Sequence, residues 1–155
     1  MGTKMAPAYA NLFIGKLEES LNELGKPHIM LWKRFIDDIF VIWTGSASEF
    51  TIYMNIINQL HHTINFTYEL SETELTFLDK TLYKGDRFDR NQILDVQTHI
   101  KPTNKQLYIH ASSYHLPTTI NAISKGKVNR YLRTNSDERE FRNMKQKLTN
   151  RLLQI

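Results

Sequence analysis

Two adjacent carboxylates, Asp37 and Asp38, lie inside the segment RFIDDIFVIW, whose other residues are mostly apolar and strand-forming. Carboxylate oxygens are the ligands that Mg²⁺ prefers, so such a pair can bind a divalent cation. It can equally lie in a solvated turn and cap backbone N–H groups. A chain that needs only a tight turn more often places Asn-Gly or Asp-Gly there, because those residues tolerate positive φ.

The residues on either side of the aspartates predict a helix followed by a hairpin. Pro7 suits the first turn of a helix, and apolar residues continue at helical spacing to Leu24. Residues 29–35 and 39–43 are rich in β-branched and aromatic side chains and predict two strands joined at the aspartates. We expect this antiparallel hairpin to pack on the helix, with both carboxylates exposed at its tip.

A second helix and a small antiparallel sheet are predicted next. Ser46 and Glu49 have the spacing of a capping box, and the helix that they begin is expected to end near Thr63. Short runs typical of strands then follow, separated by polar clusters. These runs are NFTYEL, ELTFLDKTLYK, ILDVQTHI and QLYIH.

The last third of the chain predicts two helices. One runs from Pro117 to Arg133 with an interruption at Gly126, and Ser136 is expected to cap the other. Residues 85–91, GDRFDRN, are expected to form a loop.

Composition and charge limit the possible functions. The 155 residues contain no cysteine, which excludes disulfides and thiolate zinc sites. No signal peptide or transmembrane segment is recognisable, so we expect an intracellular protein, nuclear or cytoplasmic, with no membrane partner. Residues 1–79 carry 5 Lys/Arg against 10 Asp/Glu, and residues 80–155 carry 15 against 6. This division fits a nucleic-acid enzyme with one metal-binding and one phosphate-binding part, and it also fits ordinary solvated faces.

Four motifs in order resemble the reverse transcriptase of Penelope-like retroelements. They are MGTKMAPAYANLF, RFIDDIFVIW, the FLD of residues 77–79, and KPTNKQLYIHASSYH. The resemblance implies an α+β fold: a partial polymerase palm (helix, aspartate-tipped hairpin, helix and small antiparallel sheet) and then a helical, thumb-like region. It places the palm, with its primer-grip-like hairpin, at residues 1–110 and the basic thumb-like region at residues 111–155.

The resemblance also implies the roles of individual residues. In the complete enzyme, Asp37 and Asp38 would be the catalytic carboxylates that bind two Mg²⁺ ions for nucleotidyl transfer to a DNA primer, with an RNA template and dNTPs as partners. We expect this chain alone to bind Mg²⁺ weakly. The remaining assignments are Gly2, Lys4, Pro7, Asn11 and Phe35 for template and nucleotide binding, Phe77, Leu78 and Asp79 for the primer grip, and Lys101, Lys105, Arg130 and Arg133 for the nucleic-acid backbone.

The same family takes another essential aspartate from a strand upstream of its glycine motif, and this chain begins inside that motif. We therefore expect a fragment of an RNA-directed DNA polymerase that needs an upstream segment and does not polymerise DNA alone. The alternative is a non-catalytic nucleic-acid-binding module derived from a polymerase, in which the basic half binds phosphates and the acidic pair is a relic.

Overall fold

The computed structural model describes residues 5–105, 107–110 and 112–153. Within them it has five helices and two small antiparallel sheets, which confirms the α+β class. The chain divides into two compact units, Met1–Leu70 and Ser71–Ile155. The division into palm and thumb at residues 110 and 111 stays a prediction.

The first unit has a helix on each side of a hairpin in chain order. Its elements are helix α1 (Ala6–Gly25), strands β1 (Ile29–Phe35) and β2 (Asp38–Trp43), and helix α2 (Ala47–Ile57). The two strands pair antiparallel, so the helix from Pro7 and the hairpin over residues 29–43 are both confirmed.

One apolar cluster joins the elements of this first unit. Its buried members are Leu21, Phe50, Tyr53, Met54 and Ile57, and Ile29 and Trp32 of β1 pack against them. The Tyr53 hydroxyl donates a hydrogen bond of 3.0 Å to the carbonyl of Leu21, which ties α2 to α1. Burial disfavours the phenolate and raises the pKa of Tyr53 to about 12. The hairpin thus lies on a core that α1 and α2 build together.

Helix α2 begins as predicted and ends earlier than predicted. Ser46 and Glu49 form the capping box, in which the Glu49 carboxylate accepts 2.7 Å from the Ser46 backbone N–H. This hydrogen bond, with a second from the Ser46 side chain, lowers the pKa of Glu49.

Asn58, the residue that follows α2, binds the segment at residues 65–70, where no strand forms. The helix ends at Ile57, not near Thr63, and Asn58 is its C-cap. The Asn58 side-chain amide then accepts from the Phe66 N–H at 2.6 Å and donates to the Phe66 carbonyl at 3.0 Å. A side chain therefore takes the hydrogen bonds that a neighbouring strand would have supplied, and the strand predicted for NFTYEL was wrong.

The second unit combines a three-stranded sheet with three helices. Its elements are β3 (Glu74–Phe77), β4 (Lys80–Tyr83), helix α3 (Asp86–Asn91), β5 (Asp95–Thr98), α4 (Pro117–Thr134) and α5 (Glu138–Leu152). The strands lie in the order β3-β4-β5, all antiparallel. The predicted hairpin at ELTFLDKTLYK and the strand within ILDVQTHI are confirmed.

Three local predictions in this unit were wrong. Residues 86–91 form helix α3 and not a loop, because the Arg87 N–H and guanidinium both approach the buried carboxylate of Asp95. Gly126 does not interrupt α4, since the roughly 1 kcal/mol that one glycine costs is not enough to break the helix. Residues 107–110 of QLYIH form no strand, and Tyr108 packs instead against the cluster around Tyr131.

The connection between α4 and α5 is fastened to strand β5. The Ser136 hydroxyl donates to the Asp95 carboxylate at 2.7 Å and accepts from the Val96 N–H at 2.9 Å. Because Ser136 is used in this way, Asp137 and not Ser136 is the N-cap of α5. The apolar stripe of α5 packs through Met144 and Leu148 onto α4.

In the described part of the chain, no helix is both long enough and apolar enough to span a membrane.

Candidate metal-binding hairpin tip and basic cleft

The two aspartates lie at the tip of a two-residue turn. Phe35 pairs with Asp38, and Ile36 and Asp37 form the turn between them. Ile36 has φ of 58°, a left-handed conformation that is rare for a β-branched residue and costs on the order of 1–3 kcal/mol. Asp37 and Asp38 are exposed, as predicted. Among the described residues neither carboxylate forms a hydrogen bond or an ion pair, so both carboxylates are open to a ligand.

A carboxylate on α1 holds the strand that leads to this tip. Glu18 accepts hydrogen bonds from the indole N–H of Trp32 at 2.8 Å and from Nε of Arg34 at 2.9 Å. The Glu18 and Arg34 side chains are only 15% and 16% exposed, so solvent screens this ion pair less than a surface pair. Trp32 and Arg34 are two residues apart in β1 and therefore project from the same face toward α1.

The Arg34 guanidinium also connects α1 with the turn itself. Its Nη1 donates to the Asn11 side-chain oxygen and to the carbonyl of Ile36, each at 3.0 Å. Asn11, which the resemblance assigned to the template and nucleotide, therefore has a positioning contact in this structure. The roles of Glu18, Trp32 and Arg34 were not predicted from the sequence, and alternation along β1 is the signal that could have indicated the last two.

Of the other residues assigned to template and nucleotide binding, the structure describes two, Pro7 and Phe35. Pro7 lies in the first turn of α1, and the side chain of Phe35 is 55% exposed beside the tip. Gly2 and Lys4 fall outside the described residues.

The second unit contains a hairpin tip of the same local form. Phe77 pairs with Lys80 around a turn of Leu78 and Asp79, and Leu78 has φ of 57°. The sequence Phe-Leu-Asp-Lys here corresponds to Phe-Ile-Asp-Asp at the first tip, so a lysine replaces the second aspartate. In addition, the Asp79 carboxylate is paired with Arg130 of α4. Two tips with one backbone geometry therefore differ in charge and in the freedom of their aspartate.

A cleft of about 390 Å³ lies between this second tip and α4. Its lining includes Asp79, Lys80, Asn129, Arg130 and Arg133. Arg130 and Arg133 are three residues apart on α4 and so lie on one helix face. Both arginines were predicted to contact the nucleic-acid backbone. Their proximity to Asp79 and Lys80 was not predicted, because the Asp79–Arg130 pair spans 51 residues of chain.

The two predicted lysines lie elsewhere in the second unit. Lys101 and Lys105 are exposed in the segment after β5 and do not line the cleft.

Tyr131 follows Arg130 in α4, and its side chain belongs to the core. Its side chain is 4% exposed, and burial, followed by the interaction with Tyr108, raises its pKa to about 12. Tyr131 therefore packs α4 against Met144 and Leu148 of α5.

Within the described residues no group of three or more His, Cys, Asp or Glu side chains is arranged to hold a metal ion. The two carboxylates of the first tip are therefore fewer than such a group requires.

No protein-family model, curated protein or solved structure matches this chain.

Proposed function

We propose that this chain is a reverse transcriptase fragment of a Penelope-like retroelement, supplying part of an RNA-directed DNA polymerase active site. The observation that carries the proposal is the exposed Asp37–Asp38 pair, which has no protein partner among the described residues at the tip of a strained hairpin turn. The Arg34 guanidinium supports the proposal as well, because it donates to the Ile36 carbonyl and to the Asn11 side chain and so holds the turn against α1. The order helix, hairpin, helix and small sheet is also that of a polymerase palm.

The residues present fit part of a magnesium site. Mg²⁺ is commonly bound by one or two carboxylates, with waters and substrate phosphates as its other ligands, and Asp37 and Asp38 can supply those carboxylates. Magnesium ions held there would supply the charge stabilisation that nucleotidyl transfer needs. The chain's own contribution is to hold both carboxylates at a fixed tip through Glu18 and Arg34. We propose that a further polypeptide segment brings the remaining carboxylate.

The second unit supplies cations for a primer and template in this proposal. Arg130 and Arg133 line one cleft, and the exposed Lys101 and Lys105 lie in the loop after β5. Arginine binds phosphate oxygens through its planar fork of donors. Residues 77–79 would contact the primer from the second hairpin tip.

The second candidate function is a nucleic-acid-binding module without catalysis. The absence of a group of three ligands within the described residues favours it. It predicts salt-dependent binding of nucleic acid that does not change when Asp37 is substituted.

A manganese titration separates the two functions. We would follow Mn²⁺ by electron paramagnetic resonance with the full chain, an RNA–DNA primer-template and a dNTP, for wild type, Asp37→Asn and the exposed control Asp89→Asn. We expect Asp37→Asn to weaken Mn²⁺ binding about three- to tenfold, equivalent to roughly 0.7–1.4 kcal/mol, and the control to bind as wild type. Equal Mn²⁺ binding by all three proteins would refute the polymerase proposal. Primer extension by the chain alone is expected to stay at background.

A further inference from the structure

The cleft of the second unit contains both its cations and a competitor for them. Lys80, Arg130 and Arg133 bring three positive charges to the lining, and Asp79 brings one negative charge. Asp79 is bonded to Arg130, whereas Lys80 and Arg133 form no ion pair within the described residues. The guanidinium of Arg130, on α4, is thus already paired with the carboxylate of Asp79 at the hairpin tip.

We propose that this cleft binds one phosphodiester of a nucleic-acid backbone by exchange, the phosphate displacing the Asp79 carboxylate from Arg130. The inference rests on the nucleic-acid binding that the proposed function assigns to this unit, and it adds how the site is regulated. A carboxylate and a phosphodiester each carry one negative charge and bind a guanidinium through the same pair of donors. Asp79 therefore occupies the position that the phosphate would take.

The geometry allows this exchange to take place without unfolding. The side chains of Arg130 and Asp79 are 46% and 40% exposed, and half-exposed ion pairs are weak and readily solvated. The backbone of Asp79 is held independently, because its carbonyl accepts from the His99 N–H at 2.8 Å. The carboxylate can leave Arg130 while the turn keeps its shape.

The remaining cleft groups favour a phosphodiester over a second protein carboxylate. Lys80 and Arg133 add two further cationic side chains to the lining, and the Asn129 side chain adds a neutral amide. Exposed Lys101 and Lys105 in the same unit offer further contacts to neighbouring phosphates. A polymer can use these contacts together, whereas free phosphate cannot.

The experiment measures binding of a fluorescent RNA–DNA hybrid by anisotropy, at about 50 and 200 mM salt, with the full chain. The proteins are wild type, Asp79→Asn, Arg130→Gln and the double variant. Glu138→Gln is the matched control, since it removes a carboxylate from another Asp/Glu–Arg pair of the same unit that does not line the cleft. Thermal melts establish that each variant is folded.

We expect Asp79→Asn to bind the hybrid about three- to tenfold more tightly than wild type, because Arg130 no longer has to leave a carboxylate. The salt dependence should steepen by up to about 0.9 in log–log slope, one phosphate contact. Glu138→Gln should bind as wild type, and Asp79→Asn should gain nothing in the Arg130→Gln background.

Three results would overturn the exchange. Asp79→Asn could bind no more tightly than wild type, or it could gain equally in the Arg130→Gln background, which would indicate a general charge effect. Calorimetry with inorganic phosphate could show the gain while the hybrid does not, which would assign the cleft to a free anion. In each case hybrid binding by wild type would leave the proposed function standing, whereas no hybrid binding by any variant would overturn both.

Discussion

Glu18→Ala should destabilise the first unit and loosen the candidate metal site together. The Glu18 carboxylate accepts from Trp32 at 2.8 Å and from Arg34 at 2.9 Å. Its removal leaves one indole N–H and one guanidinium, both largely buried, without their acceptor. An unsatisfied buried donor costs about 1–3 kcal/mol, and the residual exposure of these groups reduces that cost. We expect the free energy of unfolding to fall by about 2–4 kcal/mol.

Tryptophan fluorescence is a suitable assay for this prediction. The chain has two tryptophans, Trp32 and Trp43, and both belong to the first unit, so urea unfolding followed by fluorescence reports on that unit. Glu18→Gln keeps a side-chain oxygen for Trp32 but loses the charge, and we expect about half the effect of Glu18→Ala.

Glu19→Ala is the matched control for Glu18→Ala. It removes a neighbouring exposed carboxylate from the same helix and should change the free energy of unfolding by less than about 0.5 kcal/mol. A Glu18→Ala protein as stable as Glu19→Ala would refute the positioning role of Glu18. The Mn²⁺ titration should also show weaker binding for Glu18→Ala, because Arg34 no longer holds the turn.

Three further predictions concern the fold. Gly126→Ala should raise the free energy of unfolding of the second unit by about 0.5–1 kcal/mol, because an added Cβ meets no atom within 4 Å and alanine favours the helix. A lower free energy of unfolding would show that the added methyl group is not accommodated. The raised pKa of Tyr53, about 12, means that its contribution to stability is complete below pH 10 and is lost as the pH rises from 10 to 12; alkaline unfolding of Tyr53→Phe should lack this loss, and an unchanged profile would argue against it. The lowered pKa of Glu49 means that its contribution is complete above pH 4.5 and is lost as the pH falls through the lowered value; Glu49→Gln should flatten acid unfolding, and an equally steep decline would count against the capping box.

Local patterns predicted the parts of the fold that local interactions determine. The β-branched and aromatic residues of positions 29–35 and 39–43 placed β1 and β2 correctly, and the position of Asp37 between them placed the aspartates at an exposed tip. The capping box at Ser46 likewise requires only residues three apart. Each of these features depends on neighbours in the sequence.

The missed features depend on partners far away in the chain. Glu18 receives hydrogen bonds from residues 14 and 16 positions later, and no periodicity in α1 marks it as an acceptor. Asn58 replaces a strand partner for Phe66, so the β-like composition of residues 65–70 was misleading. Half of the cleft was missed for the same reason, because Asp79 meets Arg130 only after α4 has folded onto the sheet.

The central claim is that the first hairpin tip, and not merely any acidic turn, binds the metal of nucleotidyl transfer. Paramagnetic broadening of backbone amides by Mn²⁺, in the presence of primer-template and dNTP, tests this claim within one molecule. The tips at residues 36–38 and 78–80 share one turn geometry, but only the first has two carboxylates that are unpaired within the described residues. We predict that amides 36–38 broaden at the lowest Mn²⁺ concentration, that amides 78–80 do not, and that Asp37→Asn abolishes the difference. Equal broadening at both tips, or broadening at neither, would contradict the account.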